Sequence, residues 1–329
     1  MKKLIILLLL VASLLLAACG ASGDESRGEI TMAKATWDTG WFQAAVFQTM
    51  LEELGYEVDD IGTVDNSAFY ISAAQGDVDL WVNGWFPLHD EYIADDNVEG
   101  KVELVGYQVE AGALQGYLVD KASADELGIT SLTDLADPEI AAHFDSDGNG
   151  KADLIGCDAG WGCEQVIIDT LAELNLEDTV EQRQGTYSAL MADTIGRYSR
   201  GEPILFYTWT PNWTVSQLQL GEDVVWIEAP VEGLTPASGI TGCAVDPCVM
   251  GFAPSDIRVV ANTEFLDEHP DVRTLLEEVE IPLNDIAAQN QLMVDGEDSD
   301  EDIARHAEEW IEENRAQIDS WLEDARAAQ

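Results

Sequence analysis

Basic residues are scarce in this chain: 15 Lys and Arg stand against 64 Asp and Glu, for a formal net charge of -49 over 329 residues. A nucleic-acid partner is thereby excluded, because neutralising phosphates needs a basic surface. The acidity is spread along the chain, not gathered in a tail, so it describes a solvated surface. Charge this heavy repels itself in the folded state, and a saline habitat would screen it. Histidine is scarce too, limited to His89, His143, His269 and His306, and no G-x-S-x-G nucleophile element accompanies them. The close cysteine pairs lack the C-x2-C spacing usual for structural zinc. No internal repeat or low-complexity tract is present, and after the N-terminus no run is apolar enough to cross a membrane.

The N-terminus reads as a targeting segment. Lys2 and Lys3 precede an apolar run from Leu4 that continues to Ala18. It is short for a bilayer span of ~20 residues but suits a signal peptide over 1–18. Leu16-Ala17-Ala18-Cys19 resembles the bacterial lipobox, which makes Cys19 the lipidated first residue of the mature chain and 19–28 a Ser/Gly/acidic tether. The expected product is an extracytoplasmic body held to a membrane by acyl chains alone. About 300 residues remain, enough for two domains. In an oxidising compartment the other four cysteines are expected to pair as Cys157 with Cys163 and Cys243 with Cys248. A four-thiolate metal site is the competing reading.

Downstream the chain alternates strand and helix. Strands are expected at Ile30–Thr36, Tyr56–Val64 and Asp79–Val82, with helices at Phe42–Leu54 and Asn66–Ala74 stopped by Gly55 and Gly76. This is the pattern of βαβ units. Val102–Val109 and Gly116–Asp120 read as two strands with a Gly-containing joint at Glu110-Ala111-Gly112-Ala113. A second α/β stretch ends in strand Ile204–Tyr207, and an irregular segment covers Ala229–Val249. In the last helix Trp310 and Trp321 share the apolar face and are expected in the core.

Three tryptophans, Trp85, Trp161 and Trp209, stand beside Gly, Pro or Asn, which suggests indoles displayed on loops. Displayed aromatic faces suit a quaternary ammonium ion, which cannot donate an N–H and is held by π-faces around its methyl shell. Spacing alone leaves open whether these indoles meet or serve as separate core residues.

In context, the segments Asn83-Gly84-Trp85-Phe86-Pro87-Leu88-His89-Asp90, Gly156-Cys157-Asp158-Ala159-Gly160-Trp161-Gly162-Cys163-Glu164 and Phe206-Tyr207-Thr208-Trp209-Thr210-Pro211 resemble the glycine betaine/proline betaine-binding proteins of ABC importers. The likeness runs from about Gly28 to the C-terminus, including Gln115–Lys121, Lys151–Leu154 and Met191–Ile195. It implies an α/β, two-lobed periplasmic-binding-protein fold of type II, each lobe a mixed sheet flanked by helices, with ligand in the cleft. Lobe A is expected to comprise 29–110 plus 231–329 and lobe B 111–230, with linkers near Glu110 and Pro230. The resemblance places the trimethylammonium group among Trp85, Trp161 and Trp209, and the carboxylate on His89 and the backbone amides of Gly162 and Cys163. Taken alone, His89 also reads as a surface or helix-capping residue. If protonated, it would hold a carboxylate less well as pH rises through its pKa.

The implied partners are glycine betaine or a related betaine and an ABC permease subunit with its cytoplasmic ATPase. The implied role is osmoprotection by a monomeric binding protein. Trp37 and Trp41 depart from the family pattern and are expected either to extend the box or to pack at its rim; Cys243 and Cys248 are a further addition. Rival readings are a choline or other onium binder, a structural lipoprotein, and a hydrolase using Cys163 with His89, although a bridged cysteine offers no thiolate. No cofactor is required by any of the binding readings. Asp145, Asp147, Asn149 and Asp153 follow the oxygen-donor spacing of a calcium loop without its final Glu, so a structural calcium and an acidic surface turn both remain open.

Overall fold

The computed structural model describes residues 26–329. The expected signal peptide, the expected lipidation at Cys19 and most of the expected tether lie outside the described residues. Among those described, no helix is long and apolar enough to cross a membrane.

Nine strands form the framework: β1 (Glu29–Lys34), β2 (Glu57–Thr63), β3 (Leu80–Phe86), β4 (Val102–Asp120), β5 (Ala152–Ile155), β6 (Val180–Arg183), β7 (Leu205–Thr210), β8 (Val224–Ile227) and β9 (Ser255–Asn262). Their order is β2-β1-β3-β9-β4-β7-β5-β6, with β8 also paired to β4. β1 runs parallel to β2 and β3, whereas β9 lies antiparallel between β3 and β4. β3 is buried along its whole length and is apolar except for Asn83, whose side chain is hydrogen-bonded. β2 is the edge and alternates between exposed and half-buried positions. The helix Asn66–Gln75 stops where Gly76 takes the left-handed conformation at φ 78°.

β4 belongs to both lobes. Its first part pairs with β9 in one sheet and its second part, from Leu114, pairs with β7 and β8 in the other. The two strands expected here are thus one, because the ladder resumes after the joint. The register with β9 shifts on either side of Val109, and Ala111 sits at φ 47° with its N–H donating to Asp256 at 2.6 Å. The joint expected near Glu110 is therefore a bulged crossing point inside a continuous strand.

The return crossing falls near Ser255, where β9 begins, and not near Pro230. Trp226 on β8 is fully buried and requires a cover, which residues 237–250 supply. Trp226 bridges to Cys243, Ala229 to Met250 and Ala237 to Cys248, so this segment sits on lobe B. Both disulfides are formed, Cys157–Cys163 and Cys243–Cys248, each closing a local loop. Lobe A is completed by the C-terminal helices. Trp310 stands edge-on to Phe42 at 6.3 Å and Trp321 is buried, as expected of core residues.

Candidate ligand-binding site

Trp85 and Trp209 lie inside β3 and β7 near their carboxyl ends, not on loops; only Trp161 is outside a regular element, at the N-cap of the helix Gly162–Glu173. Buried strand ends hold an indole more rigidly than a loop would, and the carboxyl ends of strands are where open α/β sheets bind ligands. The cleft between the lobes holds a small cavity. It is lined by Trp85, Trp161, Trp209, His89, Gly162 and Cys163, so all six residues read from the sequence come together. Trp37 joins them as a wall of the cavity, so of the two alternatives it extends the box and does not pack at its rim. Trp41 does not line it: its indole N–H donates to the Ala35 carbonyl at 2.8 Å, and the Lys34 ammonium lies over its ring at 6.0 Å.

The aromatic wall is continuous. Trp161 stands edge-on to Trp37 at 5.5 Å and to Trp209 at 5.6 Å, while Tyr187 and Tyr207 support Trp209 at 4.7 and 6.1 Å. Asn83 fixes the lobe A side, its Oδ1 accepting the indole N–H of Trp37 at 2.6 Å and of Trp85 at 2.9 Å. The sequence reading missed Asn83, Gln115 and Tyr207. Asn83 carried a usable signal, since an amide in a wholly buried strand must find partners. Gln115 and Tyr207 also line the cavity, the Tyr207 hydroxyl donating to Gln115 Oε1 at 2.7 Å, and no spacing rule connects them.

A helix N-terminus, with Trp161 at its N-cap, opens on the same cavity. Gly162 and Cys163 open the helix Gly162–Glu173, and first-turn amides have no intrahelical carbonyl to bond. Such amides, with the helix dipole behind them, suit a carboxylate. A Cβ on Gly162 would stand 2.9 Å from Leu88 Cγ and 3.4 Å from His89 Cδ2, so only glycine allows this approach.

His89 is wholly buried, and burial lowers its pKa from the ordinary value to about 3. The imidazole is therefore neutral. Its Nδ1 receives the Trp85 backbone N–H at 3.4 Å and lies 3.1 Å from the Tyr70 hydroxyl, so the ring proton resides on Nε2. A neutral ring can thus donate from Nε2, which lies 3.3 Å from the Asn66 side-chain amide; this tautomer goes with that amide turned so that its otherwise unpartnered Oδ1 faces the ring. This corrects the expectation that affinity drifts down as pH rises. Protonation strengthens carboxylate binding only below the lowered pKa, so between about pH 5 and 8 betaine affinity is expected to be flat. Isothermal titration across that range checks this; a loss from pH 6 to pH 8 would reveal an imidazolium in the site.

At the calcium-like loop, both carboxylate oxygens of Asp145 accept loop N–H groups, from Gly148 at 2.7 Å and Gly150 at 2.8 Å. The carboxylates of Asp147, Asp153 and Glu181 lie close enough together to share a cation. The Arg183 guanidinium pairs with all three, at 2.6 Å to Asp153 and 2.7 Å to Glu181.

A two-lobed α/β frame, a cleft walled by indoles and a helix N-terminus in the same cavity define a solute-binding protein for a small onium zwitterion. The chain belongs to the family described as the substrate binding domain of ABC-type glycine betaine transport systems, which it matches over residues 28–313. It is 41% identical to the glycine betaine/proline betaine-binding periplasmic protein of Escherichia coli over 88% of this chain and 87% of the relative. It is 42% identical to the glycine betaine-binding periplasmic protein OusX of Dickeya dadantii over 87% and 86% of the two chains. Among solved structures, an ABC-transporter choline-binding protein in complex with choline shares the fold with a TM-score of 0.71, 21% identity and coverage of 90% and 92%.

Proposed function

We propose that this protein is the extracytoplasmic binding component of an ABC importer. It captures glycine betaine, proline betaine or a close relative and delivers it to a permease driven by a cytoplasmic ATPase, for osmoprotection. One observation carries the reading: a single small cavity joins an aromatic box to the free amides of a helix N-terminus and a neutral N–H donor. A betaine is a cation at one end and a carboxylate at the other, and it needs both. Trp85, Trp161 and Trp209, with Trp37, enclose the ammonium methyls; His89, Gly162 and Cys163 take the carboxylate. Indoles wall the cavity closely on several sides, and this favours a compact solute. The relatives named for glycine betaine binding support the same reading.

The protein acts as a binder and not as an enzyme, since Cys163 is bridged to Cys157 and His89 has no thiolate beside it. It acts as a monomer, attached to the membrane by lipid on Cys19. Titration with glycine betaine, proline betaine and choline under Trp fluorescence tests the proposal. Saturable quenching or enhancement by the betaines is expected. No response to any of the three would favour a structural lipoprotein, and a preference for choline would favour the onium-only alternative.

No metal is required in this reading, because Arg183 already pairs with Asp147 and Asp153, two of the carboxylates that calcium would need. Adding calcium to a chelated sample at moderate salt is expected to leave the melting temperature unchanged. A rise of several degrees would show that calcium displaces Arg183 from Asp147 and Asp153.

A further inference from the structure

One short loop of lobe A meets lobe B indoles through their only polar atoms. Thr36 Oγ1 accepts the Trp161 Nε1–H at 2.7 Å, Thr39 Oγ1 accepts that of Trp209 at 3.1 Å, and the Asp38 carboxylate accepts that of Trp213 at 3.2 Å. The same four-residue stretch places Trp37 in the cavity wall. All three donors belong to lobe B, and the acceptors belong to the loop that joins β1 to the helix Trp41–Glu53. An indole has one N–H and no other polar group, so when the cleft shuts out water that N–H needs a protein acceptor. The N–H direction lies in the ring plane, so satisfying it also fixes where the two π-faces point.

We infer that Thr36, Asp38 and Thr39 are positioning residues that latch the lobes by the indoles themselves, so that closing the cleft and orienting the cage are one event. None of the three lines the cavity. Their contribution therefore comes through the open–closed equilibrium and the orientation of Trp161 and Trp209, and it appears in how fast ligand leaves. Asp38 fits this role. Burial raises its pKa above the ordinary carboxylate value, with the Trp213 bond opposing that rise, as for a carboxylate enclosed by the closed cleft. Trp213 itself lies outside the cavity, so its bond to Asp38 serves closure alone.

The inference rests on the betaine reading, and its test separates the two. The full chain carrying Thr36→Val and Thr39→Val keeps side-chain shape and loses both acceptors. Stopped-flow Trp fluorescence is expected to show glycine betaine dissociating about tenfold faster, with association changed little. Thr36→Ser with Thr39→Ser, which keeps both oxygens, is expected to restore the wild-type rate; a merely structural role would give no such rescue. A second arm needs no ligand. Spin labels at Glu91 and Asp169, exposed residues of opposite lobes that line the same stretch of cleft, report the opening distance. The valine variant is expected to shift ligand-free protein toward longer distances, and Trp213→Phe, which removes one donor outside the cavity, is expected to do so by less. Should the valine variant fail to fold, Trp213→Phe decides by the same distance measurement. If wild type ignores glycine betaine, the ligand reading fails while the distances still judge the latch. Unchanged distances, or wild-type release from the valine variant in a protein that does bind, would overturn it.

Discussion

Trp161→Ala is expected to weaken glycine betaine binding by about 100-fold, equivalent to about 2.7 kcal/mol. Trp161 is the middle of the aromatic wall, within 5.6 Å of both Trp37 and Trp209. It also stands at the N-cap of the helix whose first amides are proposed to take the carboxylate. A desolvated cation–π contact contributes about 0.5–2 kcal/mol, and the Thr36 hydrogen bond adds about 0.5–1.5 kcal/mol in the closed state. Neither alone reaches the expected loss, but alanine removes both and leaves the Thr36 hydroxyl without its donor. Trp161→Phe keeps an aromatic face and loses only the N–H, so a smaller loss of about tenfold is expected. Isothermal titration of both variants, with melting temperatures to confirm folding, checks the ordering. Wild-type affinity in Trp161→Ala would remove this residue from the site, and equal losses in the two variants would assign the whole effect to the N–H.

Which indoles meet was legible only because three motif segments resembled a family in order. The spacing of Trp85, Trp161 and Trp209 carries no such information, since contacts between strand ends of two lobes are set by sheet order and not by sequence separation. Periodicity did find the core face that buries Trp310 and Trp321. It misplaced Trp85 and Trp209 because Pro and Asn beside them look like turn signals, although the strand runs through the tryptophan before the chain turns. It also split β4, because the joint residues interrupt the pattern while β7, β8 and β9, distant in sequence, hold the strand together. The boundary near Pro230 failed for a related reason. The burial of Trp226 and the backbone bridges beside it hold 237–250 on lobe B, and nothing local to that irregular segment announces it. Asn83 and the Thr36–Thr39 loop belong to a layer behind the cavity wall. Apart from the Asn83 bond to nearby Trp85, their roles are hydrogen bonds to indoles 46, 125 and 170 positions away, and the loop's two are beyond the reach of any local rule.

His89→Ala should discriminate between ligands, raising the Kd for betaines by about 30-fold while choline, if it binds, changes by less than about threefold. The difference follows from what each ligand asks of the site. Both present an onium head to the indoles, but only a betaine brings a carboxylate into a cavity that excludes water. A charged group left short of one hydrogen bond there loses about 1.5–3 kcal/mol, which is the source of the expected factor. Choline carries a hydroxyl that asks less of the same donor. The neutral imidazole makes the prediction sharper, because removing it changes no net charge and leaves the attraction for the cationic head as it was. The substitution also deprives the Tyr70 hydroxyl and the Trp85 backbone N–H of their shared partner at Nδ1, so some loss of stability accompanies it. His89→Gln separates the two effects, since a side-chain amide can still donate to a carboxylate. Partial recovery of betaine affinity in His89→Gln, with choline still unmoved, is the expected pattern by isothermal titration. Equal losses for betaine and choline in His89→Ala would mean that the histidine shapes the aromatic box and does not hold the carboxylate.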